Sequence, residues 1–211
     1  MNIIKPYVEL IHPIPDNVLQ HIELCGRVCY KSEDKITEDS AERFVKGLIA
    51  RGHESVLEHY SVSIRMACDR GVSHELIRHR IASYSQESTR YVRYGNKTGG
   101  VTYIEPCFLD PKSPGYTAWK VACQFAEIQY QAMLDNGCTP QEARAVLPNS
   151  LKTEVVVTMN LRAWRHFFSL RLDTSAHPQM REVAQIALDI LSEHIAVVFD
   201  EFKPKNRVLE A

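Results

Sequence analysis

Residues 78–91 read RHRIASYSQESTRY: three arginines and a histidine set among hydroxyls, one amide and one acid. A guanidinium is a rigid fork of donors that fits phosphate and carboxylate oxygens, often with two bonds at once. Ser83, Ser85, Gln86, Glu87, Ser88 and Arg90 can nearly all bond a ligand, and few of them help to fill a core. The chemistry such a stretch serves is the gripping of an anionic ligand by side chains. The plain alternative is a solvated helix terminus followed by a polar loop.

A second cluster lies far along the chain, in MNLRAWRHFFSLRLDTSAHPQ, where Asn160, Arg162, Arg165, His166 and Arg171 interrupt an apolar helical pattern. Spacings of three and four residues put Arg162, Arg165 and His166 on one face. Arg171, nine residues beyond Arg162, falls roughly opposite on an ideal helix. Either the helix breaks, or the two arginines serve different pockets, as an oligomer with shared sites would allow.

Other chemistries fit less well. His53 and His59 stand six apart and His74 and His79 five apart, whereas a zinc-binding helix needs histidines four apart to converge on one ion. No G-x-S-x-G elbow is present, and no cysteine sits in an evidently electropositive turn. The glycines of GNKTGG lack a strand-to-helix setting and a following lysine, so a phosphate loop is excluded.

The elements that must position these residues follow from periodicity. The chain has 211 residues, is 45% hydrophobic and 24% charged, and carries a net charge of −1, which bounds it to a folded globular protein without a polyanion-binding excess. Six cysteines at 25, 29, 68, 107, 123 and 138 form no CxxC pair and read as reduced core residues of a cytoplasmic protein. No signal peptide and no membrane-crossing run is evident.

YVELIH is an extended start, and Asp16 is placed to cap a helix through Cys29. A second helix is capped by Thr37 and stopped by Gly52. Residues 60–68 alternate as a strand, and VSHELIRHR is helical, with Arg78, His79 and Arg80 at its end. VTYIEP is a short strand. A long helix runs from Ser113 and Pro114 to Gly137, and TPQEARAVLP opens on a capping box. TEVVVTMN is the clearest strand, and the helices LRAWRHFFSLRL and PQMREVAQIALDILSEHIAVVFDEF close the chain. Without repeats or linkers, the expectation is one α+β domain over residues 1–211, with a mainly antiparallel sheet packed by long helices.

RHR, seven residues, then Ser88 resembles the signature of the flavin-dependent thymidylate synthases. GHESVLEH, EARAVLP and NLRAWRHFFSLRLDTSAHPQMRE resemble that family's other segments, in the same order and spacing, from about residue 50 to 185. The resemblance implies an enzyme that methylates dUMP to dTMP, with FAD reduced by NADPH as hydride source and methylenetetrahydrofolate as carbon donor. It also implies an α+β homotetramer whose sites are built from several subunits, with no cysteine nucleophile.

By position, the resemblance assigns Ser55, Arg78, His79, Arg80, Gln86, Asn160, Leu161, Arg162 and His166 to the flavin. Glu75, Leu76, Ile77, Arg78, Gln86, Glu87, Ser88, Thr89, Arg90, Arg144 and Arg171 fall to the nucleotide. Arg171 is assigned to polarise the uracil ring, and His53 lies near flavin and folate. Two positions depart from other members: 75 is Glu where Gln occurs, and 86 is Gln where Glu occurs. An acid at 75 can only accept hydrogen bonds unless it is protonated, and a contact through its backbone is the expectation there. Ser88 has no positioned base and reads as a hydrogen-bonding residue. The rival from another class is a single-stranded nucleic-acid-binding module that uses the arginines and tyrosines of residues 78–94, against which the near-neutral charge counts.

Overall fold

A computed structural model describes residues 1–95 and 99–203; the centre of the glycine-bearing stretch at 95–100 lies outside the described residues. The main sheet has strand order β2-β3-β6-β4, all antiparallel, formed by β2 (Tyr7–Leu10), β3 (Ser61–Asp69), β4 (Ser83–Gln86) and β6 (Lys152–Asn160). A two-stranded parallel sheet joins β1 (Asn2–Ile4) to β5 (Thr102–Ile104). The helices are α1 (Val18–Arg27), α2 (Ser40–Ala50), α3 (Arg70–Leu76), α4 (Pro114–Asp135), α5 (Pro140–Ala143), α6 (Leu161–Arg171), α7 (Pro178–His194) and α8 (Ala196–Phe199). This is the α+β architecture expected.

The longest pairing, β3 with β6, keeps register from Ser61↔Asn160 to Asp69↔Lys152. Strict alternation in β6 sends Val155, Val157 and Met159 into the main core and leaves Glu154, Val156 and Thr158 on the other face. That core is filled by Trp164, Phe167 and Phe168 of α6, with Met180, Val183, Leu188 and Leu191 of α7. A smaller core under α4 gathers Tyr103, Cys123, Tyr130 and Leu151.

Several boundaries differ from the sequence reading. Asn17, not Asp16, precedes α1, and α2 starts after Asp39 rather than Thr37, with no side-chain cap at either. Val28 and Cys29 sit in a 3₁₀ turn that ends at Lys31 in the left-handed region. The last helix is broken at Ile195, whose φ of −136° and ψ of 56° are not helical. The long helix α4 keeps the expected Ser113 cap, whose hydroxyl accepts from the Tyr116 N–H at 3.1 Å. The capping box of Thr139 and Glu142 is also present.

The difference that matters most for chemistry concerns residues 78–80. The helix α3 stops at Leu76, so Arg78, His79 and Arg80 lie in the turn beyond it. The stretch read as polar loop contributes the edge strand β4, because Tyr84 and Gln86 alternate inward against exposed Ser83 and Ser85.

Candidate functional site

Two strand-to-helix junctions of the same design carry the site. The Asp69 carboxylate accepts from the Val72 N–H at 2.6 Å and starts α3; the Asn160 side-chain oxygen accepts from the Ala163 N–H at 2.8 Å and starts α6. Each cap satisfies an otherwise unpaired helix N–H at a strand's last residue. The end of α3 is held by Tyr84, whose hydroxyl lies 2.9 Å from the Leu76 carbonyl and 2.6 Å from that of His79. A helix C-terminus leaves carbonyls without intrahelical partners, and this phenol's one proton is shared between that of Leu76, the last residue of α3, and that of His79 in the following turn. Tyr84, counted in the sequence only among the tyrosines of residues 78–94, is thus a residue that shapes the site, and its place as an aromatic within a polar stretch is the signal for it.

The turn and α6 enclose a cavity of about 890 Å³ lined by Arg78, His79, Arg80, Asn160, Arg162, Arg165, His166 and Arg171, with Glu54, Glu58 and Phe202. That size suits a cofactor-scale ligand, since such sites run from about 300 to 1,000 Å³. Arg162 and Arg171 thus share one cavity along an unbroken α6, which neither sequence alternative foresaw.

The arginines differ in state. Arg165 is buried, donates to the carboxylates of Glu54 and Glu201 and to the Val198 carbonyl, and ties α6 to the chain beyond α8. Arg162, Arg165 and His166 line the same cavity, as their shared face predicts, but a buried guanidinium held this way serves the wall of that cavity. Arg162 pairs with Glu58 at 2.6 Å in the open. Among the described residues, Arg78 and Arg80 have no ion pair, and both are exposed.

Among the groups that line this cavity, His79 has a strongly lowered pKa. The Nε of Arg171 donates to its Nε2 at 2.9 Å, and its ring meets His166 and Phe167 edge to face at 6.0 and 5.1 Å. Burial, then the Arg171 and His166 charges, push its pKa down to about 4. The bond from Arg171 requires an unprotonated Nε2, so the neutral ring carries its proton on Nδ1. No cysteine lines the cavity, and burial pushes the Cys68 thiol up to about 12 and Cys123 up to about 11, which keeps both inert.

The remaining predicted residues do not converge on this cavity. Gln86 donates to the hydroxyls of Ser73 at 3.0 Å and Thr153 at 3.2 Å. Glu87 accepts from Lys152 and from the Tyr94 hydroxyl. Thr89 is buried and accepts from Arg144 at 3.0 Å; the two line a separate cavity of about 210 Å³ with Arg70 and His74. The Ser88 hydroxyl accepts from the Arg90 N–H at 3.3 Å, and the Arg90 guanidinium lies over the Tyr91 ring. Glu75 meets Arg171, whereas Leu76 and Leu161 are buried core residues and Ile77 is exposed. His53 and Ser55 are exposed on the 3₁₀ segment whose Glu54 and Glu58 reach the cavity. Of the tyrosines in 78–94, Tyr84 and Tyr94 turn inward and only Tyr91 is exposed, too few for a base-stacking platform. Among the described residues no three potential ligands converge on a metal site, and no helix is long and apolar enough to cross a membrane.

The donor set suits a flavin dinucleotide. Arg78 and Arg80 offer unpaired cations for a diphosphate, and the exposed Ile81 and Leu170 offer apolar cover for a flat ring.

The antiparallel sheet thus ends two of its strands in capped helices beside an arginine-rich cavity. The chain belongs to the family described as thymidylate synthase complementing protein, whose profile matches residues 9–195. It is 33% identical to a flavin-dependent thymidylate synthase of Pyrococcus furiosus over 87% of this chain and 73% of that one. It is 38% identical to one from Mycobacterium avium, over 86% and 78%. A UMP/dUMP methylase, PolB, from Streptomyces cacaoi, solved bound with 5-Br dUMP, superposes with a TM-score of 0.79 at 26% identity over 96% of each chain.

Two outcomes follow from the geometry. Free imidazole titrates near 6.5 and folded His79 near 4, so in that window the unfolded chain binds more protons. The stability that neutral His79 contributes is complete above about pH 6.5 and declines as pH falls to about 4. Urea midpoints measured across this window should therefore slope less in His79→Gln than in the wild type. Tyr84→Phe, which removes only the hydroxyl, should loosen the turn: hydrogen exchange at residues 77–80 rises, with a stability loss of about 1 kcal/mol.

Proposed function

We propose that this chain is a flavin-dependent thymidylate synthase, methylating dUMP to dTMP with methylenetetrahydrofolate as carbon donor and NADPH as reductant. The observation that carries the reading is the single cavity in which Arg78, Arg80, Asn160, Arg162, His166 and Arg171 meet, in a chain matched to this family over residues 9–195. The names of its relatives and the nucleotide bound by PolB support the same substrate.

Bound in that cavity, FAD supplies the hydride-carrying chemistry that no side chain offers. The protein's own part is to grip and polarise. Arg78 and Arg80 hold phosphate oxygens, and the Asn160, Arg162 and His166 side chains orient the ring system. Arg171, fixed by Glu75 and His79, presents a cation to negative charge that develops on the uracil ring. The inert thiols match a methyl transfer that needs no cysteine nucleophile.

The nucleotide residues Gln86–Arg90 and Arg144 sit apart from Arg171 within one chain. We take this as support for a homotetramer in which neighbouring copies complete each site. Val121, Phe125 and Ile128 on α4, each more than half exposed, form an apolar stripe at helical spacing that suits burial between copies.

Anaerobic reduction by NADPH, followed by dUMP and methylenetetrahydrofolate, should yield dTMP from the wild-type protein. Arg171→Ala should lose turnover by on the order of 100-fold or more while its flavin content stays near wild type; normal turnover would refute its role. Phe125→Asp should shift light-scattering mass toward smaller species and reduce turnover with it; an unchanged tetramer would exclude the stripe as an interface.

A further inference from the structure

Glu75 stands among the residues expected to meet the nucleotide, but its contacts point elsewhere. Arg171 Nη1 donates to its carboxylate at 3.1 Å and Nη2 to its backbone carbonyl at 3.1 Å, while Nε is taken by His79. A guanidinium carries five N–H groups, so three are used by the protein and one on each terminal nitrogen remains for a ligand. Resting on the reaction proposed above, we infer that Glu75 is a positioning residue: it holds the Arg171 fork in one orientation rather than binding the nucleotide itself.

The physical case is one of pre-organisation. An arginine at the end of a helix has a long flexible side chain, and a cation that must reorient during reaction stabilises charge less well than one already aimed. Glu75 fixes the fork at two points, one on its side chain and one on its main chain, and His79 fixes the third. The main-chain acceptor is itself held in place, since α3 ends one residue later and the Tyr84 hydroxyl bonds the Leu76 carbonyl there. Both partners are partly shielded, with Arg171 19% and Glu75 37% exposed at the side chain. An acidic side chain here cannot donate to a uracil carbonyl when ionised, whereas it can accept from Arg171 throughout. The requirement is therefore an acceptor oxygen at this position.

The test compares Glu75→Ala with Glu75→Gln in the flavin-loaded full-length protein. Steady-state dTMP formation gives kcat, and calorimetric titration gives the dUMP dissociation constant. Glu75→Ala should lower kcat at least tenfold while dUMP affinity changes less than threefold. Glu75→Gln, which keeps an acceptor oxygen, should return kcat to within threefold of wild type. An unaffected kcat in the alanine variant overturns the inference, as does a tenfold loss of dUMP affinity at normal kcat, or a glutamine variant no better than alanine. Wild-type protein assayed in parallel separates the two levels. Absence of dTMP from the wild type sinks the reaction and this inference together, whereas normal wild-type turnover beside an active alanine variant sinks the role of Glu75 alone.

Discussion

The pairing of β3 with β6 is the constraint on which the site depends. Nine residues of each strand lie in register, and each strand ends on a residue that caps the helix after it. Because the strands are antiparallel, the two helices start from opposite ends of the ladder and run back across the core. Their far ends meet, and the meeting point is the triad of Glu75, His79 and Arg171. A one-residue slip in this ladder would turn Val155, Val157 and Met159 outward and move both caps at once. Burial of that apolar row therefore fixes the chemistry at a distance.

Charge is handled differently at different depths. Arg165, buried, is matched by two carboxylates and a carbonyl, as an interior guanidinium must be. Glu23, also buried, is matched by Arg27 and the Ser40 hydroxyl. Among the described residues, Arg78 and Arg80, in the open turn, have no acid paired with them. The contrast separates a guanidinium that holds the fold from two in the open turn that stay available to a ligand.

Much of this was legible in the sequence. The strands around 60–68 and 153–160, the Ser113 and Thr139 starts, and the polar run from Arg78 all rest on local patterns, and local patterns survive folding. The rest depends on tertiary contacts. The end of α3 at Leu76 is decided by Tyr84 from the next strand, so helical periodicity in VSHELIRHR overran it. Arg165 looked like its neighbours because its acids, Glu54 and Glu201, are remote in sequence. The expected opposition of Arg162 and Arg171 treated both as points on a cylinder, whereas the cavity extends along the helix and long side chains reach it from either flank.

The chain just past α8 has a part in this beyond its own packing. Glu201 and Phe202 form one side of the arginine-lined cavity and are fastened there through Arg165. The carboxylate and ring that neutralise and cover Arg165 are thereby also surfaces that a ligand in the cavity would meet. A substitution at Glu201 or Phe202 therefore changes the shape and charge of that pocket as well as the packing of the last turn.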